Sequence, residues 1–279
     1  MLPLLQIGPL TLRTPGLALL AGLWIGLEVS ARAGVRRGIP EDHIYNLGFY
    51  SLLAGVLGAR LGYVLLHLDL YTGITPWWRT LLAVFALSSG TENPLIGLAA
   101  LLALAAWLIR RWEVPLLPLL DALAPGAAVL AIGIGLANLL SGDWYGIETA
   151  LPWGIPLWGA LRHPTQIYFL IAAAGVLLVL LHLEGRAFPN RRPGKHPAGR
   201  RQHEQAVEAE AFTPGTMAQV ALLLLSLAVL LIEPLRADSP VMAGGVRIPQ
   251  VVALIGLLAA LAGFAIRAPA ARDGASDAA

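Results

Sequence analysis

The run Arg162-His163-Pro164-Thr165-Gln166-Ile167-Tyr168 sets a guanidinium, an imidazole, an amide and a phenol at the start of a long apolar stretch. Such a set could hold a phosphate through Arg162 and move a proton through His163. Arg60, in Gly58-Ala59-Arg60-Leu61-Gly62-Tyr63, lies inside another apolar stretch. A fixed positive charge there could bind a lipid phosphate, or pair structurally with Glu28 or Asp121. Glu92, in Gly90-Thr91-Glu92-Asn93-Pro94, could serve as a general base if buried, or be a carboxylate at a helix start. Asn138 opens Asn138-Leu139-Leu140-Ser141-Gly142-Asp143-Trp144-Tyr145-Gly146, the exit of a helix into an interfacial turn. Glu233 and Arg236 flank Pro234 and read as a structural pair or interfacial anchor.

The elements that position these residues are membrane spans. Of 279 residues, 57% are hydrophobic and 13% charged, and the mean hydropathy is +0.70. Soluble domains carry about a quarter charged residues, so this apolar excess excludes an ordinary soluble core and also disorder. A helix needs about 20 mostly apolar residues to cross a bilayer. Stretches at 15–33, 45–67, 94–110, 115–140, 164–183, 217–235 and 249–266 approach this length. The fourth contains Pro125-Gly126 and is expected to kink or break there. Residues 80–88 are apolar but too short to cross, and read as a re-entrant or interfacial piece. Small residues at 58, 59 and 62 would admit a neighbouring helix closely.

Basic residues set the expected orientation. With the N-terminus outside, thirteen of the nineteen Lys and Arg fall in cytoplasmic segments, five (Arg13, Arg79, Arg162, Arg236, Arg247) fall outside, and Arg60 is intramembrane. The pI near 9.2 therefore reflects loops beside anionic lipid, and no nucleic-acid partner is expected. The absence of cysteine excludes disulfides, thiolate metal sites and cysteine nucleophiles, and neither metal nor cofactor is expected. The organisation expected is one all-α integral membrane domain over 1–279. It comprises a short amphipathic external arm (1–14), spans one to five (15–183), a polar cytoplasmic loop (184–214), spans six and seven (215–266) and a cytoplasmic tail (267–279). Arg13 follows the first apolar residues and no basic region precedes them, so the start does not read as a cleavable signal.

On these strings the chain resembles the bacterial prolipoprotein diacylglyceryl transferases. Ile7-Gly8-Pro9-Leu10 with Leu12 and Gly16 is similar to the family's N-terminal arm, and Arg60-Leu61-Gly62-Tyr63-Val64 to a string in its second span. Leu95-Ile96-Gly97 is similar to the end of its His-Gly-Gly-Leu-Ile-Gly, Asn138–Gly146 loosely to its signature, and the 162–168 run is the closest likeness. The resemblance implies seven spans, a bacterial inner-membrane location, and phosphatidylglycerol as lipid. It implies transfer of a diacylglyceryl group to a lipobox cysteine with release of glycerol phosphate. That chemistry requires a thiol of pKa about 8.5 to become a nucleophile and a departing phosphate to be stabilised by cations.

The residues that would meet those needs are replaced. The family's functional histidine aligns with Glu92, and the two glycines after it with Asn93 and Pro94. Its signature arginine aligns with Gly135, and the tyrosine of its arm with Pro15. The tyrosine and arginine of its sixth span fall on Leu225 and Val229, and a glutamate on Phe169. Arg60, Asn138, Asp143 (for Glu), Gly146, Arg162, His163, Gln166, Tyr168, Glu233 and Arg236 are retained. An unstabilised leaving phosphate alone costs on the order of a hundred-fold in rate. The leading expectation is thus a degenerate relative with a phospholipid cavity formed by Arg60, Asn138, Arg162, His163, Gln166 and Tyr168, or a subunit of a membrane-protein complex. An active transferase with a rearranged site, using Glu92 or His163 as base, is the alternative. A small transporter, prompted by the broken fourth span, is a further one.

Overall fold

The computed structural model describes residues 4–8, 10–72, 76–85, 92–188, 213–242 and 244–276. All seven apolar stretches are helices long and apolar enough to cross a membrane. A hairpin of β1 (Leu4–Ile7) and β2 (Leu10–Arg13) leads into α1 (Thr14–Arg36), followed by α2 (Glu41–Leu66) and the short α3 (Trp77–Phe85). Next come α4 (Pro94–Arg111), α5 (Leu116–Ser141), a second hairpin of β3 (Ile155–Leu157) and β4 (Ala160–Arg162), and α6 (Thr165–Ala187). The chain ends with α7 (Thr216–Ile232) and α8 (Ile248–Ser276). The helices pack as two compact units, residues 1–37 with 117–279 and residues 38–116.

In the larger unit α1 and α5 cross at near-contact of their backbones. A Cβ on Gly22 would fall 2.9 Å from the Gly133 Cα, and one on Gly26 would fall 2.7 Å from the Gly126 carbonyl oxygen. In lipid no hydrophobic force draws apolar helices together, so small residues that let backbones meet supply the van der Waals contact. The fourth span does not break: α5 runs unbroken through Pro125, and Pro125 and Gly126 are both buried against neighbours. Helix-breaking residues are tolerated in spans where surrounding helices support the backbone.

Buried charges secure the ends of helices. Asp121 is expected above as a possible partner of Arg60, but its carboxylate accepts hydrogen bonds from the Gly215 N–H (2.6 Å) and the Ala218 N–H (2.9 Å). It thereby caps α7 from a different helix, satisfying amides that a helix N-terminus leaves unpaired. Glu28 likewise pairs with Arg32 one turn on. Glu184 takes Arg37 in a bidentate pair, at 2.8 and 2.6 Å, joining the end of α1 to α6.

In the smaller unit α2 packs along α4. A Cβ on Gly62 would lie 2.6 Å from Ile96, and one on Gly97 would lie 2.7 Å from the Ala59 Cβ. The small residues at 58, 59 and 62 thus seat α4. Asn93 caps α4, its Oδ1 accepting from the Leu95 and Ile96 amides at 3.1 Å each, with Pro94 in the first turn.

Four boundaries differ from the sequence expectation. The arm forms a β-hairpin in register Leu4↔Arg13 to Ile7↔Leu10, since Gly8 supplies the positive φ of its turn. The short apolar piece is α3 over Trp77–Phe85, and its expected end at 86–88 lies outside the described residues. Of the polar loop, 189–212 lie outside the described residues, while α6 continues to Ala187. The expected tail continues as helix to Ser276.

Gly126→Val should destabilise the protein by about 2 kcal/mol or more, because its side chain would enter the space of Ser30 and Gly26. Gly175→Ala, with nothing within 4 Å of the new methyl, should leave thermal unfolding in detergent unchanged or slightly raised.

Candidate functional site

The retained polar residues of the larger unit gather where α5 ends and α6 begins. Residues 145–149 form a central extended segment bonded on both sides. On one side Gly146 N–H donates to the His163 carbonyl (3.1 Å), His163 N–H to Ile147 (3.1 Å) and Thr149 N–H to Leu161 (2.9 Å). On the other, Ile147 N–H donates to Leu235 (2.8 Å) and Ala237 N–H to Tyr145 (2.9 Å). Gly146 must be glycine here, since a Cβ would collide with the backbone and side chain of His163.

Trp144 initiates this segment at φ 57°, a left-handed conformation costing a bulky L-residue about 1–2 kcal/mol. Four contacts hold it. Its N–H donates to Asp238 Oδ2 (2.6 Å), its carbonyl accepts from the Thr165 hydroxyl, its ring meets Phe169 edge-on, and the Arg236 guanidinium stacks on it at 4.6 Å. Arg236 also donates to Glu233 Oε2 (3.0 Å) and Asp238 Oδ1 (3.0 Å). Glu233 further accepts from the Ser239 hydroxyl, and Arg247 donates to the carbonyls of Glu233 and Arg236. Glu233 and Arg236 are buried, and their network crosses from the end of α7 to the 144–149 segment. Asp238, Ser239 and Arg247 were not singled out from the sequence; no spacing rule marks them, because their partners come from other elements.

The remaining site residues are bonded within the protein. Arg162 donates to the Leu157 and Gly146 carbonyls (3.2 and 3.3 Å) and to Glu148 (3.3 Å), and lies over the Tyr145 ring. His163 Nδ1 lies 3.2 Å from the Tyr168 hydroxyl, which also accepts from the Trp153 indole (2.8 Å). Asn138 donates to Ile134 one turn back (2.8 Å). Gln166 is fully buried and donates to the Asp143 carbonyl (2.8 Å). Its Oε1 is buried with no hydrogen-bond partner.

In the smaller unit Arg60 is also buried. Its Nε donates to the Val84 carbonyl (2.7 Å), and Nη2 to the Ala83 carbonyl and the Tyr71 hydroxyl (3.2 Å). It therefore caps the C-terminal end of α3, where a cation meets unpaired carbonyls and the negative end of the helix dipole. Glu92 is exposed just before the start of α4. It stands beside a groove of about 380 Å³ lined by Leu52, Gly55, Val56, Ala59, Pro94 and Gly97 among others.

Apolar side chains occupy the positions where the resemblance implies polar ones. Leu225 and Val229 pack against the buried cluster of Ala131, Phe169 and Ala173, with Ile132 and Trp144. Gly135 is buried on α5, and a Cβ there would lie 3.0 Å from Leu170 and 3.3 Å from the Phe169 ring. Leu225 and Val229 thus border the cluster that holds Phe169, and Gly135 faces the Phe169 ring. None of them carries a charge or a hydrogen-bonding side chain.

Seven apolar helices with polar groups collected at their ends define a polytopic α-helical membrane protein. A family profile described as prolipoprotein diacylglyceryl transferase matches residues 3–266, and the chain belongs to that family. It is 31% identical over 278 residues to the phosphatidylglycerol–prolipoprotein diacylglyceryl transferase of Gloeobacter violaceus, covering 94% of this chain and 90% of that one. It is 31% identical over 187 residues to the Geobacter sulfurreducens protein of the same description (65% and 70% covered), and 28% identical over 265 residues to that of Synechococcus elongatus (91% and 83%). The family is one of multi-pass inner-membrane proteins.

Arg236→Ala should lower stability by about 3–5 kcal/mol, since Glu233 would remain buried without its cation. Replacing the pair together, Glu233→Gln with Arg236→Met, should recover part of that loss in a denaturation series in detergent, whereas equal losses would show that the pair is not the source.

Proposed function

We propose that this chain is a degenerate member of its family that keeps the seven-span fold and contacts phospholipid, or serves as a subunit of a membrane-protein complex, without efficient diacylglyceryl transfer. The observation that carries this reading is the apolar cluster around Phe169. Positions where the resemblance implies two arginines, a tyrosine and a glutamate are Gly135, Val229, Leu225 and Phe169; Leu225 and Val229 pack against the buried cluster that holds Phe169, and Gly135 faces its ring. One lost cation could be offset by a neighbour. Four such replacements, three apolar side chains and one glycine, supply no charge to a departing glycerol phosphate, whose stabilisation relies on placed cations.

The retained cations support the same reading. Arg60 and Arg162 donate to backbone carbonyls, so a phosphate would have to displace those bonds. Binding of a lipid headgroup draws support from Gln166, whose buried Oε1 lacks a donor; a headgroup hydroxyl or a water would satisfy it. Relatives are named for phosphatidylglycerol, which makes that lipid the first to test. Asn138, His163 and Tyr168 lie on the same helix ends and complete the proposed contact. Among the alternatives, the rearranged transferase rests on Glu92 or His163 as base. The transporter reading loses its basis with the unbroken α5. The positive-charge distribution supports an external N-terminus and a cytoplasmic C-terminus.

The purified protein, given labelled phosphatidylglycerol and a lipobox peptide, should show no transfer above the protein-free background. Glu92→Gln and Arg60→Ala should leave that result unchanged. Turnover that either substitution abolishes would overturn the degenerate reading in favour of a rearranged active site.

A further inference from the structure

Between Glu148 and Arg162 the chain carries no charged residue. This segment folds into the β3–β4 hairpin, closed by the Leu157↔Ala160 pair. Its two turn residues, Trp158 and Gly159, both have positive φ, 52° and 81°. A two-residue turn of this kind favours Asn-Gly, and a tryptophan at its first position is sterically unfavourable. Strained residues persist where the surroundings hold them and a role retains them. Here the strain sets an indole at the hairpin tip with 68% of its surface exposed. One edge is tethered, Nε1 lying 3.4 Å from the Gly142 carbonyl and the ring tilted against Tyr145. Trp153 is 57% exposed, and Leu151 and Leu161 are exposed beside it.

The place of the hairpin determines what this surface meets. It is joined to two spans, following the end of α5 at Ser141 and preceding the start of α6 at Thr165, and its 145–149 neighbour is bonded directly to the residues at the start of α6. It therefore stands at the level where span ends give way to headgroups. A neutral hairpin with two exposed indoles would leave an apolar patch if it projected into water. Indole rings instead favour the headgroup layer, with an apolar body and a polar N–H. We infer that the 151–161 hairpin rests in the headgroup layer of the bilayer its own chain spans, anchored by Trp158 and Trp153. This inference is independent of whether any transferase activity remains.

Because the chain has no cysteine, Trp158→Cys gives a single site for an environment-sensitive NBD label. The labelled protein is reconstituted alone into vesicles of phosphatidylethanolamine and phosphatidylglycerol. Quenching by lipid bearing a nitroxide at the headgroup or upper acyl chain should exceed quenching by aqueous iodide by about two-fold or more, as for an interfacial side chain. Dominant iodide quenching would overturn the inference, placing the tip in water and making its apolar surface a site for a protein partner. If Trp158→Cys fails to reconstitute as folded protein, Trp153→Cys carries the same test with the same two outcomes.

Discussion

A polar group inside a bilayer has no water to turn to, so it needs a partner from its own chain. Each buried charge described here meets that demand by holding a helix end or a loop. Asp121 caps α7, Arg60 caps α3, and Glu184 ties α6 to Arg37. Arg236 joins Glu233, Asp238 and Trp144. Between these charged fastenings the helices meet through glycine, with Gly22 on Gly133 and Gly26 on Gly126 in the larger unit. Apolar side chains in lipid gain little from association, which leaves close backbone approach and paired charge as the forces that select one arrangement.

The same constraint bears on function. A transferase site inside a membrane must keep charges that are not fully satisfied by the protein, because the substrate is to complete them. In this chain Ala131, Phe169 and Ala173 form a buried apolar cluster against which Leu225 and Val229 pack. The polar residues still present hold the 144–149 segment against α6 and the end of α7. Fold alone does not fix activity: the residues that build this end of the bundle are polar and bonded to one another, and the proposed loss of transfer rests on the apolar residues at 169, 225 and 229 and the glycine at 135.

Much of the fold was legible in the sequence because the bilayer imposes a length and a polarity on each span. The seven stretches match the seven apolar helices to within a few residues, and the small residues at 58 and 62 marked the helix contact that α4 fills. Pro125 was misleading, since a proline in a soluble helix would have ended it; packing from neighbours carries α5 through. The cap of α4 is Asn93, the residue next to Glu92, and an Asn before a proline is a local signal for it. The bonds from Trp144 to Asp238 and from Gly215 to Asp121 could not be read, because each joins residues 94 positions apart.

By itself the sequence determined the membrane setting, the number of spans and the family, since these follow from residue types, run lengths and short strings. It also determined which charges are absent. Only the tertiary structure decided that Leu225 and Val229 border the buried cluster that holds Phe169, with Gly135 facing that ring, and that Arg60 and Arg162 face carbonyls of their own chain. Composition and spacing act along the chain. A cavity, or its filling, depends on which side chains several helices turn towards one another.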